Sequence, residues 1–334
     1  MRLINGGGTL AGKPQLLFVH GIGSVRTTDM ELREWSTSLA SGARAAGHAD
    51  LVSALTQSWA AETRFANYSE LFYKKDAQGV ADGVAKEDLP LLLGLLEEMT
   101  RELEHQAELA SDQRSVKITA KARAEIQAAI DPNVAQAQGP LEVVRRAANG
   151  VTTLLQLPGL RRASQWTSGV QLLPVLSQVG RYLSRKEPDD AGLGLDARIR
   201  ECVLSGLDPS RPLIVISHSL GTVVAYEALH MYSGPVPLWI TLGSPLAMGA
   251  LVLQRLAPQP PHTPAGVERW LNFWDRDDIV VARPRLERWM KPNASGVVPV
   301  TERTDTKGLW THTATKYLAH KEVAGPVAET LKNL

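Results

Sequence analysis

The chain holds a single cysteine, Cys202, among its 334 residues. One thiol cannot build an intramolecular disulfide framework or an all-cysteine metal site. An excess of charge of one sign is missing as well: 36 Lys and Arg against 35 Asp and Glu leave a net charge of +1. That balance excludes a protein that grips nucleic acid by neutralising phosphates over a broad basic face. Long apolar runs are also absent. Two extended stretches lack Asp, Glu, Lys and Arg, but Pro235, Pro237 and Pro245 break Ala228–Gln254, and Pro174 breaks Ala163–Gly180. A membrane-spanning helix needs about 20 consecutive, mainly apolar residues, so none is expected. The opening MRLINGGGTLAGKP has no run of signal-peptide length, and the expected location is the cytoplasm. No internal repeat is visible. With 44% hydrophobic and 21% charged residues the chain is rich enough to form a globular core.

The pattern along the chain is α/β at both ends. Leu16–His20, LLFVH, is a continuous apolar run that suits a strand buried on both faces of a parallel sheet. The turn Gly21-Ile22-Gly23-Ser24 follows, and Asp29 opens a helical pattern ending near Gly47. Leu51–Trp59 reads as a second strand, completing a βαβ unit. After residue 190 come a helix at Leu195–Leu207, a strand at Pro212–Ser217, a helix at Thr222–Tyr232, and strands at Leu238–Leu242 and Trp270–Trp274. A loop with a short strand at Asn293–Thr301 follows, then a terminal helix over Thr313–Leu334 with a break near Gly325-Pro326.

The middle is different. From Lys86 to Lys186 the strand signals stop and three to five helices are expected. Charge is segregated there. Glu87–Asp112 holds eight acids and one base, whereas Leu141–Lys186 holds seven bases and one acid. Such runs usually pattern solvated helix faces, here of opposite sign and attracting each other. A sharper reading is a basic, amphipathic lid in peripheral contact with an anionic membrane surface. Residues 1–85 and 190–334 are thus expected to form one core, interrupted by a helical cap over 86–189.

The segment with the most chemical content is Leu213–Leu229, LIVISHSLGTVVAYEAL. A buried strand runs into Ser217-His218-Ser219-Leu220-Gly221 and a helix follows at once. This resembles the G-x-S-x-G nucleophile elbow of the α/β-hydrolases, with Ser217 in place of the first glycine. A sharp turn at Ser219 lifts its hydroxyl above the sheet. Small residues two before and two after let strand and helix converge, and the first helical N–H groups face developing negative charge. His218 is not expected to act as base, because adjacent side chains diverge at such a turn. The loop His20-Gly21-Ile22-Gly23 after the first strand matches the place of the second oxyanion donor. The candidate oxyanion donors are the N–H of Ile22 or Gly23 together with that of Leu220. His20 is expected to shape this loop and not to bind metal, since no second ligand lies at suitable spacing.

In these hydrolases the acid follows the serine and the histidine follows the acid. The strand LNFW runs into Asp275, Asp277 and Asp278. Asp278-Ile279-Val280 fits the lipase-like pattern best, with Asp277 and then Asp275 as alternatives. His312, in GLWTHTATKYL before the terminal helix, is the expected base; His320, placed mid-helix in YLAHKEV, reads as a surface residue.

Together LLFVHGIG, LIVISHSLGTVVAYEAL, LGSPL at Leu242–Leu246, WDRDDIV and THTATKYL resemble the serine esterase/lipase-like branch of the α/β-hydrolase superfamily, including GPI inositol-deacylase-like and bacterial hydrolases. The resemblance covers roughly residues 15–75 and 190–334. It implies a mostly parallel central sheet flanked by helices, a Ser219–His312–Asp278 triad, and hydrolysis of a small-molecule or lipid ester through an acyl-enzyme, without metal or cofactor. A peptidase, amidase or thioesterase would use the same triad. A binding or signalling protein built on this fold would instead use the helical segment as its partner surface.

Overall fold

The computed structural model describes residues 12–73, 84, 88–157, 169–248, 252–276, 278, 280–281, 284–306 and 312–334. The apolar runs become strands that need no polar face, because helices cover both sides of the sheet. The strands are β1 (Gln15–Val19), β2 (Glu62–Ala66), β3 (Leu213–His218), β4 (Leu238–Leu242), β5 (Trp270–Trp274) and β6 (Val300–Arg303). They form one parallel sheet of six strands in the order β2-β1-β3-β4-β5-β6. Every residue of β1, β3 and β4 is buried.

Side chains alternate between two cores. Leu17, Val19, Val215, Trp239 and Trp270 enter one, while Leu16, Phe18, Ile216, Ile240 and Phe273 enter the other. The second core is closed by α1 (Thr28–Ala45) and by two short terminal helices, α9 (Ala314–Leu318) and α10 (Lys321–Asn333). The first is closed by α7 (Leu195–Leu204), α8 (Leu220–Leu229) and the helices between β2 and β3. Those helices are α3 (Leu89–Leu109), α4 (Gln113–Ile130), α5 (Pro132–Leu154) and α6 (Gly169–Ser184). Gly139 departs from helical geometry within α5, so the Gly139-Pro140 break is a true kink.

Three expectations are corrected. Leu51–Trp59 is not a strand: a 3-10 turn at Ala49–Leu51 runs into α2 (Val52–Thr56), and the strand lies later, at β2. Leu51, Val52 and Leu55 recur at three- and four-residue spacing, which is the period of a helix. The terminal helix breaks at Ala319-His320, not at Gly325-Pro326. Burial of Val323, Ala324, Val327 and Ala328 carries α10 through Pro326. His320 is therefore the residue that caps α10 rather than a mid-helix position.

The basic residues of α6 also behave differently from a solvated face. Arg181 lies 4.0 Å from Asp88, the expected attraction between the two charged stretches. It also pairs with Glu187 at 2.7 Å and donates to the Phe72 carbonyl at 2.7 Å. Arg185, just beyond the end of α6, pairs with Glu227 of α8 and with Asp196 of α7. Arg200 joins the same two acids at 2.7 and 2.8 Å, and the Tyr182 hydroxyl donates to Glu227 at 2.8 Å. Glu227 is 3% exposed, so its charge stands only because these donors surround it. Glu227→Gln keeps the shape but removes the charge opposite two arginines. It is expected to lower unfolding free energy by about 3 kcal/mol, read from urea denaturation; an unchanged midpoint would refute this account of the network.

Candidate active site

The chain passes from β1 outward to β2 and then returns to place β3 on the other side of β1. The connections leaving β1 and β3 therefore run to opposite sides, a switch point at the carboxyl ends of the strands, where α/β sheets bind ligands. Val19 pairs with Ser217 in register, so two residues further on Gly21 meets Ser219. A Cβ at Gly21 would lie 2.5 Å from the Ser219 Cβ, and one at Gly221 would lie 2.2 Å from the His20 carbonyl oxygen. Both motif glycines are thus set by close approach of the two loops.

Ser219 adopts φ 55 and ψ −132, a conformation that costs a non-glycine residue about 1–3 kcal/mol. Its N–H donates to the Leu242 carbonyl at 3.0 Å. Its carbonyl accepts from the Thr222 N–H at 2.9 Å and from the Thr222 hydroxyl at 2.8 Å. The strained turn is held from both sides.

The structure brings Ser219, His312 and Asp278 together. His312 Nε2 lies 2.9 Å from Ser219 Oγ, and His312 Nδ1 lies 2.8 Å from Asp278 Oδ2. Asp278 can only accept when ionised, so Nδ1 carries the proton and Nε2 is free to accept from the serine. The other carboxylate oxygen, Oδ1, accepts from the Val280 N–H at 3.1 Å. Asp275 is used elsewhere: its Oδ2 accepts from the N–H and hydroxyl of Thr306. Asp277 lies outside the described residues. His320 faces Glu322 at 3.3 Å, away from the serine. His218 does not bond to Ser219; its buried ring lies 4.6 Å from that of His312 and its Nε2 has no hydrogen-bond partner among the described residues.

The three candidate oxyanion donors differ. Leu220 opens α8, so its N–H has no carbonyl within the helix. Neither it nor the Ile22 N–H has an acceptor among the described residues. The Gly23 N–H does: it donates to Gln178 Oε1 at 3.0 Å. Gly23 is thus occupied, and the loop's available donor is Ile22. His20 orients that donor. Its Nδ1–H donates to the Gly21 carbonyl at 2.5 Å while Nε2 accepts from the Tyr68 N–H at 3.3 Å. A trans peptide aims the Ile22 N–H opposite the held carbonyl. His20 also stacks on Tyr68 and Phe65, and the Tyr68 hydroxyl donates to the His20 carbonyl.

Three contributors were not read from the sequence. Tyr317 donates its hydroxyl to Asp278 Oδ2 at 2.8 Å and accepts from the Asp275 N–H at 2.9 Å. Burial, then the neighbouring Asp278 charge, push the Tyr317 phenol well above its ordinary pKa, so it remains a donor. Gly243 of the LGSPL segment has φ 53, and a Cβ there would meet Asp278 Oδ2 at 2.6 Å and His312 Nδ1 at 3.1 Å. Gln178 is the third. The sequence held one signal for it, a polar side chain four residues before Tyr182 and so on the same side of a largely apolar helix.

No protein-family model, curated protein or solved structure matches the chain. Among the described residues no helix is long and apolar enough to cross a membrane, and no group of three or more His, Cys, Asp or Glu is placed to hold a metal ion.

Two predictions follow the buried groups. Burial first, and then the Arg26 charge, push His20 down to about 3, and burial holds His218 well below its ordinary value. Both are neutral in the fold, whereas the unfolded chain takes up protons near pH 6.5. Their contribution is complete above pH 6.5 and is lost as pH falls below it, for His20 down to its folded value of about 3. The slope is up to about 1.4 kcal/mol per pH unit for each histidine. Urea midpoints should drop between pH 7 and 5; a flat profile would contradict the neutral assignment. Separately, Tyr317→Phe removes the buried hydroxyl that accepts from the Asp275 N–H and donates to Asp278 Oδ2. It should cost about 1–3 kcal/mol of stability, measured by thermal or urea unfolding.

Proposed function

We propose that the chain is a serine hydrolase of carboxylic esters, built on an α/β-hydrolase core with the helices between β2 and β3 as an inserted cap. The observation that carries the reading is the path Asp278–His312–Ser219, with contacts of 2.8 and 2.9 Å, assembled from three separate loops around a strained serine. A nucleophile next to a base that is oriented by a third group is the signature of an activated serine.

In the reading proposed, His312 Nε2 takes the Ser219 proton as Oγ bonds to the ester carbonyl carbon. The carbonyl oxygen becomes an oxyanion facing the N–H groups of Ile22 and Leu220. Asp278 faces the imidazolium and stabilises it without taking the proton. Collapse breaks the bond to the alcohol, which leaves with the proton held by His312. Water then gives a proton to His312 and adds to the acyl group; the acid departs and Ser219 regains its proton. His20 stays neutral throughout, so the loop that aims Ile22 does not change charge when His312 does.

Ser219 should react covalently with a fluorophosphonate probe, fluoride leaving as the Oγ–phosphorus bond forms. Ser219→Ala should abolish labelling, and Asp278→Asn should lower kcat on p-nitrophenyl esters by about 10³–10⁴-fold. A preference for long acyl chains would assign lipid esters as the substrate class. Weak turnover at every length would favour an amide or thioester donor. Absence of labelling in the intact protein, with and without detergent, would overturn the reading.

A further inference from the structure

The helical segment touches the candidate oxyanion loop through Gln178. Gln178 of α6 presents its amide edge-on to Gly23: Oε1 accepts from the Gly23 N–H at 3.0 Å and Nε2 donates to the Gly23 carbonyl at 2.8 Å. Both polar atoms are satisfied by one residue, as a neighbouring strand would satisfy it. On the other side Arg26 Nη2 donates to the Ile22 carbonyl at 3.3 Å while its Nη1 pairs with Glu31 at 2.5 Å. The peptide unit that joins Ile22 to Gly23 is therefore gripped at both ends, its C=O by Arg26 and its N–H by Gln178.

The same face of α6 reaches the other half of the hole. Gln178 and Tyr182 are four residues apart and so lie one turn apart on one side of the helix. Tyr182 donates to Glu227 of α8, the helix whose first residue is Leu220. Arg185 is fixed on the same carboxylate. Thus α6 is anchored on the helix that supplies one donor and holds the loop that supplies the other.

We propose that Gln178 is a positioning residue for the oxyanion hole, fixing the Ile22 N–H relative to the Leu220 N–H. The inference rests on the hydrolytic reading above. It makes α6 a part of the catalytic apparatus that stays docked during the chemical step, and not a door that must swing away from it. Among the described residues only the Gln178 amide hydrogen-bonds the N–H and C=O of Gly23 itself.

The test compares Gln178→Leu with the wild-type full chain. Oxyanion donors aimed in advance are worth about 10²–10³-fold each, and a loosened donor loses part of that. Q178L is expected to lower kcat by about tenfold or more. The fluorophosphonate labelling rate should fall in parallel, since phosphonylation also builds negative charge in the hole. KM and the unfolding midpoint should stay near wild type, which separates positioning from general damage. Gln178→Glu gives an independent arm if Q178L fails to fold. As a carboxylate it lacks the donor for the Gly23 carbonyl; protonated, it regains both donor and acceptor. The ratio of Q178E to wild-type kcat should therefore rise as pH is lowered toward the carboxyl pKa of about 4.3. A folded Q178L with wild-type kcat and labelling rate, or a Q178E ratio of one at every pH, would overturn the inference. A rise in kcat would also overturn it, since Gln178 would then be withholding the Gly23 N–H from substrate. If wild type itself neither labels nor hydrolyses esters, the failure lies with the hydrolytic reading.

Discussion

The parallel pairing of β1 with β3 is the constraint on which the site depends. Its register, Val19 opposite Ser217, sends two tight loops out of the sheet side by side. One holds Ser219 and the head of α8; the other holds His20, Gly21 and Ile22. A slip of one residue would turn every side chain of β3 to the wrong core. Because both cores are apolar and alternate residue by residue, the register that packs the sheet is the register that aligns the loops. The remaining pieces arrive at the same edge by the same geometry. Leu242 of β4 pairs with His218 and accepts the Ser219 N–H, and β5 ends just before the turn that holds Asp278.

Strain at Ser219 and neutrality at His20 are two sides of one requirement, that the loops not relax. The serine backbone stays in an unfavourable region because three hydrogen bonds hold its own N–H and C=O. The neighbouring loop stays in place because His20, buried between ring contacts and two backbone partners, stays neutral down to a pKa of about 3. Had His20 titrated with an ordinary pKa, a positive charge would appear in this loop as pH fell through about 6.5, coupling the loop's position to pH. Burial removes that coupling at the cost of acid stability.

How much of this was legible in the sequence follows from how local each signal is. The strands of the sheet centre are short apolar runs, and Ser219 sits in a strand–turn–helix pattern that one window of sequence contains. Asp278 and His312 were reached through chain order and through their places after a strand and before a helix. The region around Leu51–Trp59 misled because its apolar residues support either period over so short a span. Tyr317, Gly243 and Gln178 act across 39, 35 and 155 residues of chain respectively on Asp278, Asp278 and Gly23, and no local pattern encodes those distances. The charged stretches were visible, but their partners were not: Arg185 finds Glu227 and Asp196, both in the core-flanking helices, not the acids of α3.

Ser217, the one departure from the motif, has its own physical reason. Ser217, Thr241, Asn272 and Thr301 occupy one register across four strands. The Ser217 hydroxyl donates to the Ile240 carbonyl at 3.2 Å and accepts from Trp239 Nε1 at 2.9 Å. Thr241 does the same service for Trp270, whose ring stacks on Trp239 at 4.0 Å. Two indoles side by side under the helices bury a large apolar area, but each brings an N–H that is expensive to bury unpaired. Glycine at position 217 would let strand and helix converge and leave the Trp239 N–H orphaned. Serine is small enough for the first demand and polar enough for the second. The position therefore answers to two constraints at once, the elbow above it and the tryptophan beside it, and only the first belongs to the motif.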